Sequence, residues 1–373
     1  MKPRVGGIFS IAVLALTLLL PAAAGAQTAI PGPCIDGDLP HGAKSRICVP
    51  VVGWNGQLVV FAHGYIAAGQ PKDFYHLTFG GVSLPLLVQS QGFAFATTTY
   101  RQNGLAILEG ADDIRALVAA FTAQRGAPQR TFIAGASEGG LVAALLLEQS
   151  PDLFSSGLAA CGPVGSFRGQ VNYVGDFRVL FDYFFPNVIP GTVVDVPQDV
   201  MINWYTQYLP AVLMALQANP ARALELMRTS GAAYDPANPV TIGQTVANVL
   251  WYNVFGGADA EDKLGGNPYG NRLRLYFGSS NDLRLNLRVQ RFTASPTAVA
   301  NMTKYETTGR LTRPLITLHT KGDEVVPFWH EPLYLAKVLL TGHSGLLPLP
   351  VDRYGHCNFN TNELLTAFAL TVR

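Results

Sequence analysis

The chain has 373 residues, 49% hydrophobic and 14% charged, with a formal net charge of +1. That length buries a large core, and so low a charge content excludes a disordered chain. No basic run or stripe stands out, which argues against a nucleic-acid surface and against an anionic-membrane patch, so the expected partners are small or neutral molecules.

The first residues form a separate unit. Lys2 and Arg4 precede an apolar stretch from Val5 to Leu20, and Ala24-Gly25-Ala26 before Gln27 has the A-x-A form of a signal-peptidase site. A signal peptide over 1–26, cleaved after Ala26, implies a secreted or periplasmic protein. The apolar run is short for a span of ~20 residues and no stop-transfer pattern follows, so no stable membrane insertion is expected. In an oxidising compartment Cys34, Cys48, Cys161 and Cys357 can pair in three ways. Cys34 with Cys48 and Cys161 with Cys357 is favoured; the first pair closes a short loop worth roughly 3 kcal/mol, and the second rests on the fold argued below. No CxxC, HExxH or close His/Cys cluster occurs, and no metal site is expected.

In the mature chain, Gln57 to Ala62 and Phe93 to Thr99 are apolar, β-branched or aromatic runs that read as buried strands. Val82 to Gln91 carries leucines at helical spacing. Ile107 to Gln124 places Ile114, Leu117, Val118 and Phe121 on one helical face. A strand from Thr131 to Ala134, a turn at Ser137, a helix from Glu138 to Gln149 and a strand from Ser156 to Cys161 follow. Strands separated by helices of this length indicate βαβ units and a mostly parallel sheet flanked by helices, an α/β fold. The alternation resumes with a strand at Pro314 to His319, a helix at Trp329 to Leu340 and a strand at Gly345 to Val351, whose two prolines suit an edge. A last helix starts at Asn360, with Glu363 in capping-box spacing. The expected core therefore comprises 27–164 and 314–373. Residues 165–313 break the pattern with helical segments at Val200 to Leu216 and Pro220 to Thr229 and aromatic runs at Phe177 to Asn187 and Leu250 to Phe255, and read as an inserted helical cap.

The chemistry is carried by Gly135-Ala136-Ser137-Glu138-Gly139, a G-x-S-x-G pattern. The pattern alone is weak in a glycine-rich chain, but here it falls at a strand-to-helix junction, where glycines permit the sharp turn that lifts a serine hydroxyl above a sheet. Such a hydroxyl needs an imidazole to take its proton and a carboxylate to orient that imidazole. Asp323, in a Gly-Asp turn after one late strand, and His356, after the next, supply both in the order Ser, Asp, His. Glu324 and Asp352 are the rival acids. His343 precedes its strand, His330 lies in a helix and His319 reads as a buried strand-end residue. The oxyanion formed in acyl transfer needs two N–H donors: Glu138, following the nucleophile, and Tyr65, after the early strand, with Gly64 allowing close approach. His63 reads as structural.

The stretches FAHGY, GASEGG, GDEVVP and GHC resemble the oxyanion, nucleophile, acid and histidine loops of the α/β-hydrolase superfamily. The resemblance implies an α/β-hydrolase fold, no cofactor and a serine hydrolase, with esterases, lipases, polyester depolymerases and prolyl-oligopeptidase-type peptidases as members. Cys357, directly after the base, is similar to the tannase and feruloyl-esterase family, where it bridges to a cysteine beside the serine; here Ala136 stands at that place, and Cys161, at the end of the next strand, is the implied tether. The favoured function is cleavage of carboxylic esters, small or polymeric. A prolyl-oligopeptidase-like peptidase is the alternative, although no β-propeller repeat accompanies the motif. A non-catalytic binding protein is a third, disfavoured because all three triad candidates are present.

Overall fold

The computed structural model describes residues 29–79 and 81–373; the expected signal segment lies outside the described residues. Eight strands form one sheet: β1 (Cys34–Asp38), β2 (Lys44–Cys48), β3 (Leu58–Ala62), β4 (Ala94–Thr98), β5 (Thr131–Ala136), β6 (Ser156–Ala160), β7 (Leu315–Gly322) and β8 (Leu346–Tyr354). Their spatial order is β1-β2-β4-β3-β5-β6-β7-β8. β1 and β2 form an antiparallel hairpin joined antiparallel to β4, and every other pairing is parallel. β3, β4 and β6 are buried along their whole length, because helices cover both faces of the sheet; such strands read as unbroken apolar runs rather than as alternation. β8 lies at the edge, where Pro348 and Pro350 can leave their missing N–H groups on the open side. The β1–β2 hairpin was not legible from periodicity, since each strand has only five residues, apolar and charged ones are mixed, and β1 is largely exposed.

Helices α1 (Leu84–Ser90), α2 (Ile107–Arg125) and α3 (Glu138–Gln149) connect the early strands. α3 is apolar on every side, and its residues from Glu138 to Leu147 are all buried, as expected for a helix at the centre of a core. Between β6 and β7 come α4 (Phe167–Phe184), α5 (Gln198–Ile202), α6 (Leu209–Ala218), α7 (Pro220–Ser230), α8 (Val240–Leu264), α9 (Asp282–Arg288) and α10 (Pro296–Met302), with no strand among the described residues. Helices α11 (His330–Leu340) and α12 (Thr361–Thr371) flank the last strands, and α12 starts with the full Asn360/Glu363 capping box.

The helix expected from Val200 to Leu216 is divided. A π-helical turn over Trp204–Tyr208 separates α5 from α6, and Pro210, which has no N–H for an interior helical bond, sits in the first turn of α6. The two aromatic runs belong to α4 and α8. There Phe177, Phe181, Trp204, Val246, Leu250 and Val254 build an apolar cluster separate from the one beneath the sheet. Phe167, Leu264 and the stretch from Ala298 to Leu311 pack instead into the sheet's own core.

Two disulfides join Cys34 to Cys48 and Cys161 to Cys357. Bridges of this kind persist in oxidising surroundings and point to an extracellular or periplasmic protein. No helix among the described residues is long and apolar enough to cross a membrane. Cys34 and Cys48 are direct partners in the β1–β2 ladder. Replacing both by serine is expected to lower unfolding free energy by roughly 3 kcal/mol, read as a lower urea midpoint; an unchanged midpoint would mean the ladder alone fixes this hairpin.

Candidate active site

β3 and β5 are neighbours at the point where the strand order reverses, and in open α/β sheets ligands bind beyond the carboxyl ends of strands at such a point. Ser137 stands there, between β5 and α3, with φ 57° and ψ −124°. The glycines around it are dictated by backbone contact. A Cβ on Gly139 would lie 2.1 Å from the Ala62 carbonyl oxygen at the end of β3, and one on Gly135 would lie 1.9 Å from the Gly139 carbonyl oxygen. Only a chain without side chains at those places brings α3 so close to β3 and turns the serine outward.

The hydroxyl of Ser137 donates to Nε2 of His356 at 2.9 Å, and Nδ1–H of His356 donates to Asp323 Oδ2 at 2.8 Å. Asp323 also accepts the Val325 and Val326 amides. Burial alone would push its carboxyl up, but the His356 and His319 rings hold it far below the usual carboxylate range. Glu324 points elsewhere: Asn248 of α8 donates to its Oε1, and burial raises its pKa. Asp352 is exposed beside Lys321. His356 is further tied by the bridge from its neighbour Cys357 to Cys161 at the end of β6. Cys161, His356 and Cys357 form the one His/Cys/acid cluster of metal-binding size among the described residues, and its two sulfurs are bonded to each other.

Other histidines surround this array. His319, at the inner side of Asp323, donates from Nδ1 to Glu331 Oε1 at 3.1 Å and from Nε2 to the Val326 carbonyl, with Asp323 Oδ2 at 3.4 Å. Burial would lower its pKa, yet hydrogen bonds to Asp323 and Glu331 raise it to about 10, so it is a buried imidazolium. His63 stacks on Tyr100 at 3.9 Å and burial lowers it to about 4, leaving it neutral. His330 accepts the Gly165 and Ser166 amides and donates to Gln170, pinning the start of α4.

Gly64 packs against the serine: a Cβ there would lie 3.1 Å from the Ser137 Cβ. Its own N–H is taken by His76 Nδ1 at 3.2 Å, while among the described residues neither the Tyr65 nor the Glu138 N–H has an acceptor. Both residues line a cavity of about 160 Å³ that opens at Ser137 and is otherwise mostly apolar, with Val171, Val194, Tyr252 and Val325 in its walls. A larger groove of about 850 Å³ is lined only by residues between Leu209 and Ala247, none of them at the site. Tyr252 was not anticipated; it comes from α8, and its hydroxyl faces that of Ser137, although burial keeps its pKa high. His76 was equally unanticipated. Neither carries a local signal, because one is an aromatic among aromatics and the other a lone histidine in a loop. Glu138 Oε1 accepts the Ala106 N–H at 2.8 Å, and burial pushes its carboxyl up to about 8.

A serine elbow after the fifth strand, followed in chain order by an acid and a histidine on the two late loops, defines the class: this is an α/β-hydrolase fold with the machinery of a serine hydrolase, either esterase or peptidase. Residues 89–168 match the family model described as the prolyl oligopeptidase family. Among solved structures the chain is similar to an acylaminoacyl peptidase of Pyrococcus horikoshii (TM-score 0.45, 15% identity, 89% of this chain and 38% of that one). It is similar also to an esterase of Pyrococcus furiosus (0.47, 11%, 91% and 88%) and to a variant of the rice cell wall degrading esterase LipA from Xanthomonas oryzae (0.43, 13%, 88% and 84%). The chain thus spans 38% of the length of the peptidase. No curated protein matches it.

An imidazolium held by two carboxylates stabilises the fold fully below the unfolded histidine pKa of about 6.5. That contribution is lost as pH rises through about 10. The stability gap between wild type and His319→Gln is therefore expected to be wide at neutral pH and to close toward pH ~10, measured by urea unfolding. A gap that stays constant over this range would show that His319 is not charged.

Proposed function

We propose that the protein is an exported carboxylic ester hydrolase, in which residues 165–313 form a cap over the site. Ser137 Oγ attacks the ester carbonyl as His356 Nε2 takes its proton, and Asp323 holds the imidazole in the tautomer that can accept it. The carbonyl oxygen, now negative, is stabilised by the Tyr65 and Glu138 N–H groups. His356 then protonates the departing alcohol, and water repeats the sequence on the acyl-enzyme to release the acid and restore Ser137. Export is supported by the two disulfides together with the signal-like first residues.

The observation that carries the ester reading is the cavity at the nucleophile. At about 160 Å³ it is close to an apolar cavity of about 150 Å³ that takes up benzene, which suits a ring or short chain. The match of residues 89–168 to the prolyl oligopeptidase family favours a peptidase instead. A short-chain nitrophenyl ester, an aromatic nitrophenyl ester and a prolyl anilide separate the two. Wild type is expected to turn over an ester fastest, with a loss of roughly 10⁶-fold in Ser137→Ala. Faster turnover of the anilide than of either ester would make the protein a peptidase.

Glu138 adds a pH signature. Burial, with Asp259 and Glu109 in the same sense and Ala106 N–H and Lys263 opposing, sets its pKa at about 8. Below that value the side chain is neutral; above it, a negative charge stands beside the oxyanion. Ester kcat/KM is expected to fall on the alkaline side of pH 8 in wild type and to remain level in Glu138→Gln. An identical alkaline limb in both would remove Glu138 as its cause.

A further inference from the structure

The segment after the cavity wall has an unusual outer face. Leu273, Leu275 and Phe277 alternate with the inward Tyr276 and are 93%, 63% and 64% exposed. Leu283 and Leu287, one turn apart on α9, are 73% and 74% exposed, while Leu285 and Val289 on the opposite side of α9 enter the cap's apolar cluster. The two rows are neighbours. Asn286 of α9 accepts the Tyr276 N–H and donates to the Tyr276 carbonyl, and the Gly278 N–H reaches Asp282. Five large apolar side chains thus stand out from one surface, an arrangement that water alone disfavours and that marks an interaction site.

The charge of this face identifies its partner. Between 272 and 291 the chain carries Arg272, Arg274, Arg284, Arg288 and Arg291 against the single acid Asp282, in a protein whose net charge is +1. Arg274 pairs with Asp176, and Arg291 donates to backbone carbonyls. Arg272, Arg284 and Arg288 are exposed and have no carboxylate partner among the described residues. Arg228 joins them through the Gly278 carbonyl, and Glu225, which accepts from Ser280, is the nearby acid besides Asp282. The arginines escape a search for basic runs because leucines separate them. Protruding leucines and a phenylalanine rimmed by free guanidinium groups match an anionic lipid surface, in which the apolar groups enter the headgroup boundary and the arginines meet the lipid charges.

We propose that this face adsorbs the protein to anionic lipid–water interfaces, peripherally and without a spanning segment. Asn267 and Tyr269, a few residues earlier, line the catalytic cavity, and Tyr269 and Tyr276 both donate to Asp176. Adsorption would bring the cavity mouth near the interface.

Flotation with phosphatidylcholine vesicles, with and without phosphatidylglycerol, tests this. Wild type is expected to float with the mixed vesicles at low salt and to remain behind with the neutral ones. Arg284→Ala with Arg288→Ala should weaken partitioning roughly thirtyfold, and Leu273→Ser with Leu287→Ser should abolish it. Both variants should hydrolyse a soluble ester as wild type does. Equal recovery on neutral and anionic vesicles, or unchanged binding by both variants, overturns the proposal. So does a solution dimer that the leucine variant dissociates, since the face would then be covered by a second copy.

Discussion

The close backbone contact between α3 and the end of β3 is the constraint from which the rest of the site follows. Gly139 rests against the Ala62 carbonyl and Gly135 against Gly139, so the helix meets the sheet without intervening side chains. This contact forces Ser137 into its positive-φ turn. It also aims the first N–H groups of α3, which no helical carbonyl can satisfy, at the space above the serine. The Ser137 hydroxyl and the Glu138 N–H are placed together by a single close approach, and Tyr65 stands beside them because the residues after β3 are what α3 is pressed against.

The second half of the site depends on charge. An aspartate as deeply buried as Asp323 would ordinarily be neutral. It is held ionised by two imidazoles, one facing the serine and one behind it, and His319 is in turn compensated by Glu331. The helices between β6 and β7 add further restraint: Tyr173 donates to the Glu324 carbonyl, Gln170 to that of Val325, and Asn248 to the Glu324 side chain. The acid loop therefore takes its shape from the inserted helices as much as from β7. On the other flank the Cys161–Cys357 bridge closes a loop of 196 residues, worth about 5 kcal/mol in the chain-entropy model, at the residue after His356.

What could be read from the sequence was what local chemistry dictates. α3 begins and ends at the residues its apolar run marks, β8 lies at the edge that its prolines require, and Asn360 caps α12 as its spacing with Glu363 requires. Ser137, Asp323 and His356 were legible because each follows a strand in a glycine-bearing turn. The remainder depends on tertiary contact. The β1–β2 hairpin is short and mixes Cys and Ile pairs with charged ones, and the helix expected over Val200 to Leu216 is divided by the π-helical turn over Trp204–Tyr208, just before Pro210. His319 reads from its strand as one more buried residue; its charge exists only because the turn after β7 and the start of α11 fold back to set Asp323 and Glu331 against it. Tyr252 faces the serine only because α8 crosses the cavity.

The inserted segment also explains how one stretch of chain serves two purposes without conflict. Its helices bury most of their aromatic residues against one another, while Phe167, Leu264 and Ala298 to Leu311 join the sheet's core, and two further surfaces remain. One is turned to the hydrolase core, where Asp259 accepts the Leu105 N–H at 2.6 Å and Lys263 donates to the Asn103 carbonyl at 2.7 Å, fixing the loop before α2 whose Leu105 lines the cavity. The other carries the leucines and arginines of 272–288. Because the Asp176 carboxylate receives both Tyr269 in the cavity wall and Tyr276 beneath the outer face, the two surfaces share one hydrogen-bonded support. A change in what the outer face touches is thereby mechanically adjacent to the wall against which a substrate would lie, and α4, which carries Asp176, also holds the loop of Asp323 through Tyr173 and Gln170.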